Sequence, residues 1–440
     1  MTMRSDIRLA GRYGPLIART LAGNLTREAV TRVRNRSIPT GVDLTDFDPF
    51  DPATAADPYP RYRELLAGAP VHYNPRRDIY VLTRYADVRA GARADNVLSS
   101  AEGVTYGRIR LPVLLMTDAP EHTRMRKQAL PGFTRGSLES WQPMIDRLAR
   151  DLVSQMSTRG TSEVVSTLAV PMPMAMISHI LGIAEEDQSA FRDWSNEAIR
   201  IADVNFTWSG LAEIVPTLNG FRHLYDFFTD RLGRGELLDE NTVLGRLTRR
   251  TDNGRPAGQL SDEELFFVAV LLLLAGNETT TNLLSTLFLT LAQHPDQLDV
   301  LRRHPDLIPS AIEEQLRFLS PIQSFYRTAR VDYQVGDVTI PAGSRVLLAW
   351  GAANRDPRQF EDPDVFRADR NPTGHVAFGS GVHLCLGAQL ARLEGQAVLR
   401  EIVDQVDRVE VAGTPIWTTN PNLRGLSRLD VTLTRGAAAA

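Results

Sequence analysis

The pattern of apolar and polar positions along the chain is mostly helical. Apolar residues recur at intervals of three and four over residues 137–156, 168–181 and 211–232, which is the spacing of helices that turn one face to a core. The longest such pattern begins at Ser261 with the spacing of a capping box and ends before Pro295. At about 1.5 Å per residue this helix would cross the whole molecule, and its apolar surface predicts a central position.

Strand patterns are short and few. Residues 71–73 and 78–82 alternate as paired strands, and residues 331–340 and 346–350 alternate around a turn at 341–343. Together with the helical patterns they predict a mainly α protein with small β-sheets, of the α+β class.

Composition narrows the class of protein. The 440 residues carry a formal net charge of -4, which argues against a nucleic-acid partner because such binding domains are usually strongly basic. The single cysteine, Cys385, excludes an intramolecular disulfide and a cysteine-based zinc cluster. Residues 1–36 show no apolar core followed by a small-residue cleavage site, so we do not expect a secretory signal. The apolar run at 265–275 is shorter than the roughly 20 residues of a membrane span. We therefore expect a cytoplasmic protein with no stable membrane span.

No internal repeat, low-complexity tract or long linker divides the chain. We therefore expect residues 41–440 to form one domain, as a monomer, preceded by an arm at residues 1–40. The arm is rich in arginine, and it either stays flexible and solvated or forms an amphipathic surface helix at residues 7–18. A further helix is expected after Asp118, which has the position of an N-cap residue.

Cys385 lies in the loop Phe378-Gly379-Ser380-Gly381-Val382-His383-Leu384-Cys385-Leu386-Gly387. Two glycines before the cysteine allow a tight turn and a close approach of the backbone to a flat ligand. A helix is predicted at 386–404, and the free N–H groups at its start would stabilise a thiolate. A lone cysteine is more often a small buried apolar residue, so the interpretation depends on the spacing of its neighbours.

This loop resembles the haem-binding loop of the cytochrome P-450 superfamily, whose soluble bacterial members carry Phe-Gly-x-Gly-x-His-x-Cys-x-Gly. The resemblance implies the cytochrome P-450 fold, with a long central helix over haem b and the cysteine loop beneath it. It implies that Cys385 is the thiolate ligand of the iron. Phe378, Gly379, His383 and Gly387 would then contact the haem.

Another segment matches the family in the expected order. Glu314 and Arg317 resemble the family's Glu-x-x-Arg helix, and residues three apart can pair on one helix face. Alone this signal is weak, since surface pairs of this kind are common. The resemblance adds Arg370, which would complete a buried cluster of one glutamate and two arginines behind the haem loop. We assign these three residues a structural role.

The central helix carries Ala275, Gly276, Glu278 and Thr279. Glycine and threonine are unfavourable inside a helix, and the Thr279 hydroxyl can bond the Ala275 carbonyl and bend the helix locally. A packing adjustment would explain the same residues. The resemblance implies instead that Ala275 and Gly276 lie against the haem where dioxygen binds. Thr279 would hydrogen-bond the bound oxygen, and Glu278, in place of the family's more frequent aspartate, would relay protons.

Four basic residues match the family's partners for the haem propionates, which need cationic or donor groups. His122 and Arg126 lie four apart on one predicted helix, and Arg327 and His383 lie in two later motifs. Each residue alone would be interpreted as part of a surface ion pair. Together, each in its matching motif, they predict a propionate site.

The resemblance implies a monooxygenase that inserts one atom of O2 into a C–H bond of a lipophilic small molecule, by hydroxylation or oxidative demethylation. The chain has no flavin- or nicotinamide-binding glycine motif, so electrons are expected from NAD(P)H through a ferredoxin and a ferredoxin reductase. Arg124, Lys127 and Arg392 could form a basic docking face, although solvated surface charges look the same. A peroxide-driven enzyme and a non-catalytic haem-binding protein remain alternatives, and the pair Glu278 and Thr279 counts against both.

The substrate pocket is expected to be apolar. By family position it is lined from residues 97–115, 191–228, 271–275 and 322–325, and near Leu423. The apolar residues there favour a terpenoid, steroid or fatty-acid-like substrate, and they are Ile109, Val113, Leu114, Trp194, Phe206, Trp208, Leu271 and Leu274.

An aromatic-acid hydroxylase or O-demethylase of the same family is the alternative. In that case Arg108 and Arg110 could hold the carboxylate of the substrate. Leu274 weakens this hypothesis, because family members of that kind have a small hydroxyl residue at this position of the central helix.

Overall fold

The computed structural model describes residues 40–199, 214–237, 242–248, 251–252, 255–256 and 262–435. The described helices are α1 Pro52–Ala56, α2 Tyr59–Ala67, α3 Tyr85–Arg93, α4 Glu121–Ala129, α5 Arg135–Arg159, α6 Pro171–Leu181, α7 Gln188–Ile199, α8 Ile214–Gly233, α9 Val243–Thr248, α10 Asp262–Gln293, α11 Pro295–Arg303, α12 Ile308–Leu319, α13 Trp350–Ala353 and α14 Ala388–Gln405. The described strands are β1 Asp43–Leu44, β2 Val71–Asn74, β3 Ile79–Leu82, β4 Leu98–Ser99, β5 Thr161–Glu163, β6 Thr251–Asp252, β7 Arg255–Pro256, β8 Phe325–Ala329, β9 Tyr333–Val335, β10 Val338–Ile340, β11 Arg345–Leu348, β12 Val406–Val411, β13 Ile416–Trp417, β14 Leu426–Arg428 and β15 Asp430–Arg435. The predicted α+β class, with helices dominant, is confirmed.

Helix α10 is the predicted central helix. Its 32 residues span about 48 Å, and it packs against α6, α8 and α14. Leu273, Leu284 and Phe288 on this helix are fully buried. By length and composition residues 264–293 could cross a membrane, but 61% of the apolar window is buried inside the protein, as in a core helix. The predicted cap at Ser261 lies outside the described residues.

The largest sheet has six strands in the order β1-β2-β3-β11-β8-β4. One sequence prediction about it was wrong. Residues 331–340 form a hairpin in which β9 pairs with β10 across Gly336, whose φ of +56° suits a tight turn. Strand β11 pairs instead with β3 and β8, so the segment at 341–343 links two sheets and does not close a hairpin.

Asp118 does not cap helix α4, contrary to the prediction. Its carboxylate accepts hydrogen bonds from the Ser100 amide, at 2.9 Å, and from the side chains of Ser99 and Arg330. These partners lie at strand β4 and at the end of β8. Asp118 therefore ties the start of α4 to the sheet, which fixes the two elements that carry candidate propionate ligands relative to each other.

The N-terminal arm at residues 1–39 lies outside the described residues, as do Phe206 and Trp208 of the expected pocket. The other end of the chain is anchored by the sheet β12-β15-β5. Helix α14 starts three residues after Cys385 and packs along α5. The cysteine loop is therefore followed directly by a core helix.

Candidate active site

The cysteine loop folds back on itself between two glycines of positive φ. Gly379 and Gly381 have φ of +74° and +75°, which L side chains rarely adopt. A Cβ on Gly381 would lie 2.8 Å from the Ala92 carbonyl, so this residue also permits close packing on α3. The Cys385 amide donates to the Phe378 carbonyl at 3.0 Å, which closes the loop.

The Cys385 side chain has the surroundings of a group that lines an internal cavity. It has exposed surface, yet the protein packs around it closely enough for burial to raise the pKa of its thiol. A hydrogen bond from the Gly387 amide and the positive charges of Arg126 and Arg392 act in the opposite direction and favour the thiolate. The sulfur is thus available to a ligand and has partners for its negative charge.

Helix α10 also borders open space at its midpoint. Ala275 is exposed, although its helix runs through the core. The Thr279 hydroxyl donates to the Ala275 carbonyl at 2.7 Å, the hydrogen bond that the sequence predicts. Gly276 and Glu278 lie between these two residues and are half-buried. The middle of α10 therefore faces open space on the side where, from the family resemblance, we expect the haem.

The structure brings the two candidate propionate histidines together. The rings of His122 and His383 lie 4.2 Å apart, centroid to centroid, although the residues come from α4 and the cysteine loop. The Nε2 atom of each is buried and has no hydrogen-bond partner. Burial and then the positive charge of Arg327 lower the pKa of His383 to about 3. Buried donors without partners fit the carboxylates of a bound group.

Two arginines complete this cluster. Arg327 on β8 is 3% exposed, and its guanidinium donates to the Tyr326 carbonyl at 2.9 Å. Burial lowers the pKa of Arg327 to about 10. Arg126 donates to the Leu384 carbonyl at 2.7 Å, which attaches α4 to the cysteine loop. Because a buried cation needs an anion, the cluster fits the two propionates of a haem.

The Glu314 cluster behind the loop has the geometry that the resemblance implies. Arg317 donates to both oxygens of the Glu314 carboxylate at 2.7 and 2.8 Å, and both side chains have no exposed surface. Arg370 donates to the same carboxylate at 2.9 Å. Arg317 also donates to the carbonyls of Asn354 and Pro363. The cluster therefore pins the irregular stretch before the cysteine loop to helix α12.

The expected substrate side is apolar in the described residues. Val113 and Leu114 are buried, and Leu271 and Leu274 are half-buried on α10. The expected pocket segments at 322–325 and near Leu423 meet through an isolated bridge between residues 322 and 423. These contacts bring together parts of the chain that lie far apart in sequence.

The two arginines of the aromatic-acid alternative are paired. Glu102 accepts from Arg108 and from Arg110, the latter at 2.9 Å, and from the Thr328 hydroxyl at 3.1 Å. Burial raises the pKa of Glu102, but these partners outweigh it and lower the pKa to about 2. One ionised carboxylate therefore pairs with both Arg108 and Arg110 and offsets one of their two positive charges.

Residues of the expected docking face are also engaged in ion pairs. Arg124 pairs with Glu121 and Glu264, and Arg392 donates to Glu313 at 2.6 and 2.8 Å. Sequence reasoning missed the pairing of Arg392. Glu313 lies beside the recognised Glu314, but nothing local in the sequence indicates that it meets a residue 79 positions later.

The fold and the site together define a haem-thiolate protein. Among the described residues, no group of three or more histidine, cysteine, aspartate or glutamate side chains could hold a metal ion. A single cysteine next to a cluster of buried donors suits the iron of a porphyrin: the cysteine can bind the iron, and the donors can bind the two carboxylates of the porphyrin.

Comparisons with known proteins agree. The family model of cytochrome P450 matches residues 302–428. A beta-dihydromenaquinone-9 omega-hydroxylase of Mycobacterium tuberculosis is 59% identical over 433 residues, covering 98% of this chain and 88% of its own. The 6-deoxyerythronolide B hydroxylase of Saccharopolyspora erythraea is 33% identical, covering 86% of this chain and 96% of its own.

A solved structure shows the same architecture. The crystal structure of CYP109E1 from Bacillus megaterium in complex with testosterone has a TM-score of 0.77 and 30% identity, covering 86% of this chain and 99% of its own. This chain belongs to the cytochrome P450 family and has its fold. It is a cytochrome P450 monooxygenase of the hydroxylase kind, whose family cofactor is haem and whose co-substrate is O2.

Proposed function

We propose that this chain hydroxylates the end of a long isoprenoid chain, such as that of a dihydromenaquinone. The observation that carries this proposal is the 59% identity, over nearly the whole chain, to a hydroxylase of beta-dihydromenaquinone-9. An apolar tail also suits the buried and half-buried apolar residues of the expected pocket. The paired state of Arg108 and Arg110 counts against the aromatic-acid alternative.

The residues that would hold haem b are those of the cysteine loop, the propionate cluster and the middle of α10. Cys385 would bind the iron, and the residues that would contact the rest of the haem are His122, Arg126, Ala275, Gly276, Arg327, Phe378, Gly379, His383 and Gly387. The bound haem supplies the activation of O2 that protein side chains cannot perform. The overall reaction consumes one C–H bond, O2, two electrons and two protons, and yields an alcohol and water.

Thr279 and Glu278 would handle the protons. The Thr279 hydroxyl hydrogen is committed to the Ala275 carbonyl, so its lone pairs face the open space and can accept a hydrogen bond from water. Glu278 is the adjacent carboxylate that can take a proton from solvent and pass it on. Orienting water through one fixed hydroxyl would keep proton delivery at one place.

The electrons would come from NAD(P)H through a ferredoxin and its reductase. We propose that the protein works in the cytoplasm as a monomer, with residues 41–440 as its catalytic domain. A long apolar substrate would enter the pocket by its tail, because Leu271 and Leu274, among the described residues of the expected lining, present apolar side chains.

The test is turnover of a defined substrate. Purified haem-loaded protein is supplied with dihydromenaquinone in detergent micelles, a surrogate ferredoxin, its reductase and NADPH. We expect a product heavier by one oxygen atom, with fragmentation placing the hydroxyl at the terminal isoprene unit. A steroid, a long-chain fatty acid and an aromatic acid serve as competing substrates. Absence of the terminal alcohol, with faster turnover of a competitor, would overturn the proposed substrate.

A further inference from the structure

A second ion-pair cluster lies beside the cysteine loop, separate from the Glu314 cluster. The Glu313 carboxylate accepts two hydrogen bonds from Arg392, at 2.6 and 2.8 Å. It also pairs with His375, whose Nε2 lies 2.9 Å away. Glu313 belongs to α12 and Arg392 to α14, so the cluster joins two helices to the segment that leads into the loop.

The proton of His375 is placed by its neighbours. The Ala377 amide donates to His375 Nδ1 at 3.2 Å, and an amide can only donate. The ring hydrogen therefore lies on Nε2 and is donated to Glu313. Burial raises the pKa of Glu313, but the hydrogen bonds from Arg392 and His375 outweigh it and lower the pKa to about 2. The cluster thus holds one negative and one positive charge.

Phe378 connects the cluster to Cys385. The Arg392 guanidinium lies over the Phe378 ring, 4.6 Å from its centroid, and the His375 ring lies 5.8 Å away. The Phe378 carbonyl in turn accepts the hydrogen bond of the Cys385 amide. A displacement of Arg392 or His375 would therefore reach the backbone of the cysteine through a single residue.

We propose that Glu313, Arg392 and His375 position Cys385 and set the electrostatic environment of its thiolate. Arg392 supplies a positive charge near the sulfur, and Glu313 balances that charge. Arg392 and His375 hold Phe378 in place through direct contacts. The inference rests on the haem-thiolate site and is independent of the proposed substrate. These are positioning residues, since none of them touches the sulfur directly.

The test uses the charge balance of the cluster. Reduction of the haem adds one negative charge, so an unbalanced cation nearby raises the reduction potential and an unbalanced anion lowers it. Glu313→Gln leaves Arg392 unbalanced, and Arg392→Gln leaves Glu313 unbalanced. We expect shifts of opposite sign in the substrate-free, haem-loaded protein. The double variant should return towards the wild-type potential.

The controls separate charge from mere structure. Arg400→Gln removes an exposed arginine from the same helix, where it pairs with Asp146 at 3.5 Å, and should leave the potential unchanged. Arg392→Lys keeps the charge and should shift the potential less than Arg392→Gln. Single variants that shift the potential in the same direction, or no further than Arg400→Gln does, would overturn the inference. So would equal shifts in Arg392→Lys and Arg392→Gln.

The substrate proposal and this inference fail in distinguishable ways. The potentials are measured without substrate, so a wrong substrate leaves them unaffected. If Glu313→Gln loses haem, the ferrous CO spectra of Arg392→Lys and Arg392→Gln still decide the matter. We expect the lysine variant to retain more of the thiolate-type red-shifted Soret band. Equal loss of that band in both variants would also overturn the inference.

Discussion

Glu394 offers a quantitative test of how the core around helix α14 is built. Its side chain is 2% exposed, and its Oε2 atom has no hydrogen-bond partner. Burial raises the pKa of Glu394 to about 8. The group is therefore protonated in the folded protein at neutral pH, whereas in the unfolded chain it is ionised. We expect Glu394→Gln to stabilise the fold at neutral pH.

The magnitude follows from the two pKa values. Between the ordinary value of 4.5 and about 8, the folded state binds one more proton than the unfolded state, so stability falls as pH rises. Each pH unit costs about 1.4 kcal/mol, which amounts to roughly 3 kcal/mol by pH 7. Glutamine cannot ionise, so the Glu394→Gln variant lacks this loss. Its advantage over the wild type should grow with pH and level off above pH 8.

The assay is urea unfolding of the haem-loaded protein at pH 5, 6, 7 and 8, for the wild type and Glu394→Gln. The difference in free energy of unfolding should rise with a slope of about 1.4 kcal/mol per pH unit. Glu401→Gln is the matched control on the same helix. In contrast to Glu394 Oε2, the Glu401 carboxylate has polar partners, since it accepts a hydrogen bond from Gln405 and lies 3.6 Å from Arg150. A difference that stays flat with pH, or matches the control, would refute the reasoning.

Three further substitutions test the site. Thr279→Val should lower product formation by about tenfold or more while NADPH oxidation continues, because proton delivery is lost. Thr280→Val is the control. If NADPH oxidation in Thr279→Val stayed fully coupled to product formation, the assignment would be contradicted. Arg327→Gln should weaken haem retention by roughly 2 kcal/mol, about 30-fold, measured by haem transfer to apomyoglobin; unchanged transfer would exclude a propionate contact. Glu314→Gln should cost roughly 3 kcal/mol or more of unfolding free energy, because it leaves Arg317 buried without a full counter-charge, and a cost below about 1 kcal/mol would argue against the cluster.

Local sequence patterns were sufficient to predict most of the fold. The period of apolar residues predicted the central helix, because a long buried helix shows its apolar surface in sequence. The spacing of the motif around Cys385 indicated the haem-thiolate class, which the family comparisons confirm. The hydrogen bond from Thr279 to Ala275 was predictable for the same reason, since it joins residues one helical turn apart.

Long-range pairing was not predictable in this way. Strand β11 joins β3 and β8 and not the adjacent hairpin, because strand pairing depends on contacts far apart in sequence. Asp118 has the position of a cap, but the strands beside it offer competing donors. Nothing local relates Glu313 to Arg392. The roles of the individual site residues and the division at residue 40 stay predictions.

The most direct test of the central claim is the ferrous CO spectrum of the purified haem protein, with Cys385→His alongside the wild type. A thiolate ligand of the haem iron would shift the Soret band of the ferrous CO form far to the red, and a neutral imidazole ligand would not. We expect the red-shifted band in the wild type and its loss in Cys385→His, with haem still bound. An unshifted band in the wild type, or a red-shifted band that survives in Cys385→His, would contradict Cys385 as the ligand.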